Sequence, residues 1–187
     1  MNELWQLYDE VGNPITGKGA TKDEVMRKGL LHGSAHVWIW RKTTDGKEIL
    51  LQKRAANKRT FPNMLDISAA GHIRLDEPPK AAAIREAEEE IGLIITEASL
   101  TFVGKFHINL RANADSVENE FRWVYTVEIS PETQLSLSDQ EVAATKWLTE
   151  DEFRQTVLPN NGDYVPQGDE YFKALLSALE QDAVARM

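Results

Sequence analysis

The sequence predicts an α/β fold. Strand-like runs rich in Val, Ile, Trp and Phe recur along the chain. Between them lies an Ala/Glu-rich segment with a helix-start signal before it and a helix-stop residue after it. The length of 187 residues, with 42% hydrophobic and 27% charged residues, suits one globular domain over 1–187 rather than two.

The elements follow in order. Leu4 to Tyr8 reads as a strand, with a turn at Gly12-Asn13-Pro14, inside an N-terminal strand/hairpin region over 1–35. Lys22 to Lys28 is a helical turn. His36 to Arg41 and Glu48 to Arg54 read as paired strands, joined by a hairpin loop from Thr43 to Lys47. Phe61-Pro62-Asn63 is a loop, and Leu65 to Ala70 leads into the helical segment. Leu100 to Leu110 and Glu120 to Ile129 are two further strands, with a polar loop from Arg111 to Glu118 between them. Ala144 to Leu148 is a short strand, and Thr149 opens a helix with a capping-box-like start. An amphipathic helix closes the chain, at about 169–186.

Composition narrows the function. A formal net charge of −9 argues against coating nucleic acid or binding an anionic membrane. Anionic small molecules stay open, because metal ions can screen a site locally. With no cysteine there is neither a disulfide nor thiol chemistry. No basic region followed by an apolar stretch stands at the N-terminus, and no apolar run reaches the length of a membrane span, so a cytoplasmic location is expected.

The segment from Gly71 to Leu93, GHIRLDEPPKAAAIREAEEEIGL, is the most informative part. Pro78 and Pro79 suit a helix start, since proline lacks only a donor that the first turn leaves unpaired. Lys80 to Ile91 has high helix propensity, and Gly92 suits the left-handed position just past the end. On this helix Glu86 precedes Glu89 and Glu90 by three and four residues, so the three share one side. Arg85 can pair with Glu89, Ala81, Ala82 and Ile84 can face the core, and Glu88 is left to solvent. The acids repel one another with no matched lysines to offset them. Glu77 joins them across the prolines. A divalent cation held against a diphosphate would remove the repulsion.

This segment resembles the Nudix box, G-x5-E-x7-R-E-U-x-E-E-x-G-U with U aliphatic. Gly71, Glu77, Arg85, Glu86, Glu89, Glu90, Gly92 and Leu93 match, while Ala87 puts a small residue in the first aliphatic slot. The resemblance extends at lower specificity from about Trp5 to Phe153. It implies an α/β/α sandwich around a mixed β-sheet and a hydrolase that cleaves a diphosphate linked to some group X with Mg²⁺ or Mn²⁺. Carried over residue by residue, Glu86, Glu89, Glu90 and Glu77 form the metal set. Glu89 or Glu90, or a carboxylate from a later loop such as Glu141, activates water, and Arg85 orients the glutamates. Magnesium suits this donor set, because it binds through a few carboxylates plus substrate phosphates.

A second constellation resembles the isopentenyl-diphosphate isomerase branch of the same fold. His32 and His72 match two of that branch's metal histidines, and Glu118 and Glu120 its two metal glutamates. Arg54 and Lys58 match its diphosphate-binding pair. The departures weigh against isomerase chemistry. Ala70 stands where the catalytic cysteine would be, and no third histidine lies near Asp23 to Met26. The intact box favours water activation. The expectation is therefore a hydrolase acting on a nucleoside diphosphate-X type or related substrate, with an isomerase-like enzyme or a non-catalytic nucleotide sensor as alternatives. The expected partner is a small-molecule diphosphate, not a nucleic acid polymer or a membrane; a homodimer is a family-level expectation. Trp38, Trp40, Trp123 and Trp147 are read as core or interface aromatics, with one of them or Phe61 a candidate to stack on a base.

Overall fold

The computed structural model describes residues 3–114, 116–138, 140–159 and 162–184. A mixed sheet is built around one long strand, β3 (His32–Thr43), which follows β1 (Leu4–Tyr8), β2 (Pro14–Thr21) and helix α1 (Lys22–Lys28). After β3 come β4 (Gly46–Arg54), β5 (Leu65–Asp66), β6 (Ala69–His72) and helix α2 (Pro79–Ile91). Strands β7 (Thr101–Asn113), β8 (Ser116–Glu128) and β9 (Val142–Thr149) precede helices α3 (Glu150–Thr156) and α4 (Asp169–Val184).

β3 organises the sheet. Its first half pairs antiparallel with β6 (Ser34 opposite His72) and its last residues with β4 (Trp40 opposite Ile49). Its other edge runs parallel to β8, from His32 opposite Glu120 to Trp40 opposite Glu128. β9 extends the sheet beyond β4, and β7 extends it beyond β8.

Alternation along β3 sorts side chains into two layers. Ala35, Val37 and Ile39 face α2, where Ala82, Ala83, Ala87 and Ile91 meet them. Trp38 and Trp40 face α3 and α4, against Phe153, Tyr171, Phe172 and Leu175. Each large apolar side chain so buried contributes on the order of 2 kcal/mol. The result is an α/β/α sandwich.

Several boundaries differ from the sequence reading. β2 is the second arm of the expected N-terminal hairpin, though its bounds are not legible in the sequence, because PITGKGAT has little apolar alternation and only Ala20 is buried. β3 begins at His32, four residues before the expected start. The expected polar loop from Arg111 to Glu118 is mostly strand: β7 runs to Asn113 and β8 starts at Ser116. Strand pairing overrides local polarity there, and it moves Glu118 from a loop into the sheet. On α2 the core face is Ala82, Ala83, Ala87 and Ile91, with Ala81 only partly covered and Ile84 at the margin. The other expectations for this helix are met: Pro79 occupies its first turn, Gly92 closes it at φ 66, and Glu88 is exposed. Ala185 and Arg186 of the expected C-terminal helix lie outside the described residues, as does Asp115 of the expected loop.

Candidate active site

Three elements converge where β6 meets α2. Gly71 lies on β6 directly against the carboxylate of Glu86, and a Cβ at that position would collide with it. The missing side chain leaves room for that carboxylate against the strand. Arg85 then gathers the group. Its Nε donates to Glu77 Oε1 at 2.8 Å and its Nη2 to Glu77 Oε2 at 2.9 Å. Its Nη1 reaches Glu86 at 2.5 Å and Glu89 at 3.1 Å, and Nη2 also donates to the His72 carbonyl at 3.0 Å. Only a planar fork with five donors can hold three carboxylates and a carbonyl at once.

The three helix acids do not share one environment. Glu89 is exposed and is held by Arg85 and by Arg74 at 3.3 Å. Glu86 is buried, and burial pushes its carboxyl up to about 6 despite Arg85. Glu90 lies deeper, where it accepts from the Ala70 N–H at 2.9 Å and from Gln52 Nε2 at 3.1 Å. Burial raises its carboxyl to about 8. Glu77 is half-buried; burial alone would raise its carboxyl, but hydrogen bonds from Arg85 and the Arg74 N–H bring it below the usual range. Glu141 arrives from the turn before β9, with Lys58 at 2.5 Å.

Arg85, Glu86, Glu89 and Glu141 line an open cleft of about 530 Å³, together with Arg54, Lys58, His72 and Glu118, while Glu77 and Glu90 stand outside its lining. Lys58 reaches the cleft from the 55–63 loop. Arg54 is more committed than a free phosphate-binding cation: Nη1 pairs with Asp66 at 2.8 Å, and Nη2 donates to the Thr60 carbonyl at 3.1 Å.

The second constellation comes together on three strands. His32 on β3, His72 on β6 and Glu118 and Glu120 on β8 each bring a ligand atom within 4.8 Å of the others'. His32 Nδ1 lies 2.9 Å from the Leu30 carbonyl, which requires the proton on Nδ1 and leaves Nε2 a bare lone pair. That lone pair faces Glu120 Oε2 at 3.6 Å, and His72 Nε2 lies 3.9 Å from the same oxygen. His32 Nε2 and Glu120 Oε2 are both buried without a hydrogen-bond partner. Burial would raise the Glu120 carboxyl, but the Arg122 guanidinium at 2.8 Å holds it far below the usual range. Burial raises Glu118 to about 7. Burial lowers both His32 and His72. Trp5 stacks on His72, with ring centroids 3.5 Å apart.

Several contributors were not singled out from the sequence: Trp5, Gln52, Asp66, Arg74 and Arg122. Arg122 had a signal, since Glu118, Glu120 and Arg122 alternate onto one face of β8. Gln52 and Asp66 had none, because their role depends on which helix end the sheet meets. Trp38 and Trp40 are buried as expected, and Trp123 and Trp147 are partly buried.

Comparison with known proteins gives the same class. The family model described as NUDIX domain matches residues 31–168. The chain is 34% identical over 155 residues to Nudix hydrolase 3 of Arabidopsis thaliana, covering 81% of this chain and 20% of that longer protein. It is 30% identical over 164 residues to an uncharacterized Nudix hydrolase of Listeria monocytogenes, covering 88% and 89% of the two chains. An isopentenyl-diphosphate Delta-isomerase of Aliivibrio fischeri is 29% identical over 182 residues, covering 97% and 99%. Among solved structures, DR0079 of Deinococcus radiodurans aligns with a TM-score of 0.67 at 20% identity, over 92% of this chain and 97% of that one. The chain belongs to the Nudix hydrolases, enzymes that cleave diphosphate linkages. Among the described residues no helix is long and apolar enough to cross a membrane.

Proposed function

We propose that this chain hydrolyses the diphosphate linkage of a nucleoside diphosphate-X type or related small molecule, with Mg²⁺ or Mn²⁺ as cofactor. The observation that carries the reading is the Arg85 clamp, which holds Glu77, Glu86 and Glu89 at one end of a cleft that Lys58 and Arg54 also line. The crowded acids fit a divalent cation: Glu86 and Glu90 are buried with raised carboxyls, the response of acids short of positive charge. Glu86, Glu89 and Glu90 would hold the ion. Glu77 supports them through Arg85. When bound, the ion supplies Lewis acidity toward the phosphoryl oxygens and lowers the pKa of water.

The chain's own residues supply the rest. A water oxygen bonds to one phosphorus, and the bridging P–O bond breaks with its electron pair on the departing phosphate. The water proton passes to a carboxylate, Glu89 or Glu90. Lys58 and Arg54 offset phosphate charge. The cluster of His32, His72, Glu118 and Glu120 fits a second cation, because a bare imidazole lone pair and a carboxylate oxygen otherwise face each other without a partner. We read the chain as one domain acting in the cytoplasm on a small molecule, with a homodimer expected from the family alone.

The isomerase reading draws on that same cluster, but Ala70 offers no thiol beside it. The test is chromatographic detection of the cleavage products (phosphomonoesters, pyrophosphate or phosphate) from nucleoside triphosphates, dinucleotides, sugar nucleotides and prenyl diphosphates with Mg²⁺ or Mn²⁺. Turnover that Glu89→Gln or Glu86→Gln abolishes, with the fold intact, is the expected result. Turnover that both variants retain would remove the box from the mechanism. Silence across the panel, with metal bound, would favour the isomerase-like or sensing alternative.

A further inference from the structure

Behind the cleft lies a second cavity of about 90 Å³ that shares part of its wall. Its own lining divides in two. Ser34, His36, Asp66, Glu120, Arg122 and Gln167 are its polar side, and Phe61 and Val165 are among its apolar residues.

The hydrogen atoms on the polar edge can be placed by elimination. Trp38 Nε1 is a donor only, and it donates to Tyr171 Oη at 2.8 Å. Tyr171 therefore turns its own hydrogen to His36 Nδ1, 3.0 Å away. Burial keeps His36 neutral, lowering it to about 3. Its single proton then sits on Nε2 and goes to Ser34 Oγ at 3.2 Å. Ser34 Oγ has accepted, so its hydrogen is left for the cavity.

Arg122 is similar. Its Nε is taken by Glu120 and its Nη1 by Gln167, at 2.8 and 2.5 Å, and Nη2 has no acceptor among the described residues. Of the acceptors nearby, Asp66 is occupied, while Glu120 Oε2 stays open. Asp66 receives Arg54, the Ile67 N–H and Gln167 Nε2. With Arg54 paired to Asp66 and Arg122 to Glu120, the edge offers donors from Ser34 and Arg122 beside an open carboxylate oxygen of Glu120. Phe61, in the same lining, holds φ 49, a left-handed conformation that costs a non-glycine residue energy and is over-represented at ligand sites.

We propose that this cavity takes the hydroxyl-bearing end of a sugar or polyol joined to the diphosphate, its oxygens accepting from Ser34 and Arg122 and its C–H face lying on Phe61. The size agrees: the volume equals roughly three waters, enough for a few hydroxyl-bearing carbons. A prenyl chain would strand both donors, and an unpaired buried donor is costly. The proposal rests on the hydrolase reading for placing the phosphate in the cleft.

The test is calorimetric titration of the full chain with ribose 5-phosphate and with isopentenyl phosphate, in Mg²⁺. Ribose 5-phosphate is expected to bind roughly tenfold tighter, and Ser34→Ala to remove about fivefold of that preference, as one neutral hydrogen bond would. Phe61→Leu should weaken the sugar phosphate severalfold. Equal or tighter binding of isopentenyl phosphate, a preference indifferent to Ser34→Ala, or no binding of either probe overturns the proposal. Failure of the hydrolase reading would show separately, as missing turnover of diphosphates.

Discussion

Glu120 Oε2 and His32 Nε2 lie 3.6 Å apart in the interior of the sheet, and neither has a hydrogen-bond partner. The Leu30 carbonyl forces the bare nitrogen toward the carboxylate, so two lone pairs face each other. Glu120→Gln is expected to lower Mn²⁺ or Zn²⁺ affinity at least tenfold and to remove one bound ion per chain in equilibrium dialysis. The Trp5 ring on His72 offers a second readout. Co²⁺ should quench tryptophan fluorescence in the wild type and less in Trp5→Phe. Unchanged stoichiometry in Glu120→Gln would assign the ion elsewhere.

Gly71 leaves the Glu86 carboxylate its place against β6. Gly71→Ala puts a Cβ into the Glu86 carboxylate. An ångström of displacement at a catalytic group costs on the order of 100-fold. A drop in kcat of about that size is expected, with the far-UV circular dichroism of the wild type. Full activity would mean that Glu86 does not need its present position.

Arg85→Lys keeps the charge but loses the fork. A single ammonium cannot serve Glu77, Glu86, Glu89 and the His72 carbonyl together. The variant is expected to raise the Mg²⁺ concentration needed for half-maximal activity about tenfold. It should lose about 2 kcal/mol in urea unfolding, since half-buried carboxylates are left short of donors. An unaltered metal requirement would confine Arg85 to a purely structural role.

The buried Glu90 carboxyl makes the metal-free protein sensitive to alkali. Its pKa in the fold, about 8, stands above the ordinary 4.5, so the folded state binds that proton more tightly. The resulting stability is complete below pH 4.5 and is lost as pH rises through 8. Glu86 and Glu118 shift the same way, while the lowered histidines act oppositely on the acid side. The comparison with Glu90→Gln isolates the residue. In EDTA, the Tm of wild type should fall relative to that variant between pH 6 and pH 9. Parallel Tm profiles would show that Glu90 ionises freely.

Tyr171→Phe tests the placement of protons behind the site. It leaves Trp38 Nε1 without an acceptor and His36 Nδ1 without a donor. Roughly 1–3 kcal/mol of stability should be lost, as for other unsatisfied buried groups. A neutral substitution would mean that the chain of hydrogen bonds ending at Ser34 is not maintained.

The α/β class, the course of α2 and the membership of the acid cluster are legible in the sequence. Those depend on local rules: proline at a helix start, glycine past its end, and carboxylates three and four residues apart. Thr149 and Glu152 likewise form the capping box that their spacing announces. Tertiary structure alone decided what each acid experiences. Glu86, Glu89 and Glu90 are neighbours in sequence, yet Glu89 meets solvent and two arginines while Glu90 meets Gln52 and the Ala70 N–H. The parallel register of β3 and β8 set His32 opposite Glu120 across some ninety residues, and it drew Glu118 out of an expected loop into the sheet. Burial, partner and register are properties of long-range packing, and no spacing along the chain encodes them.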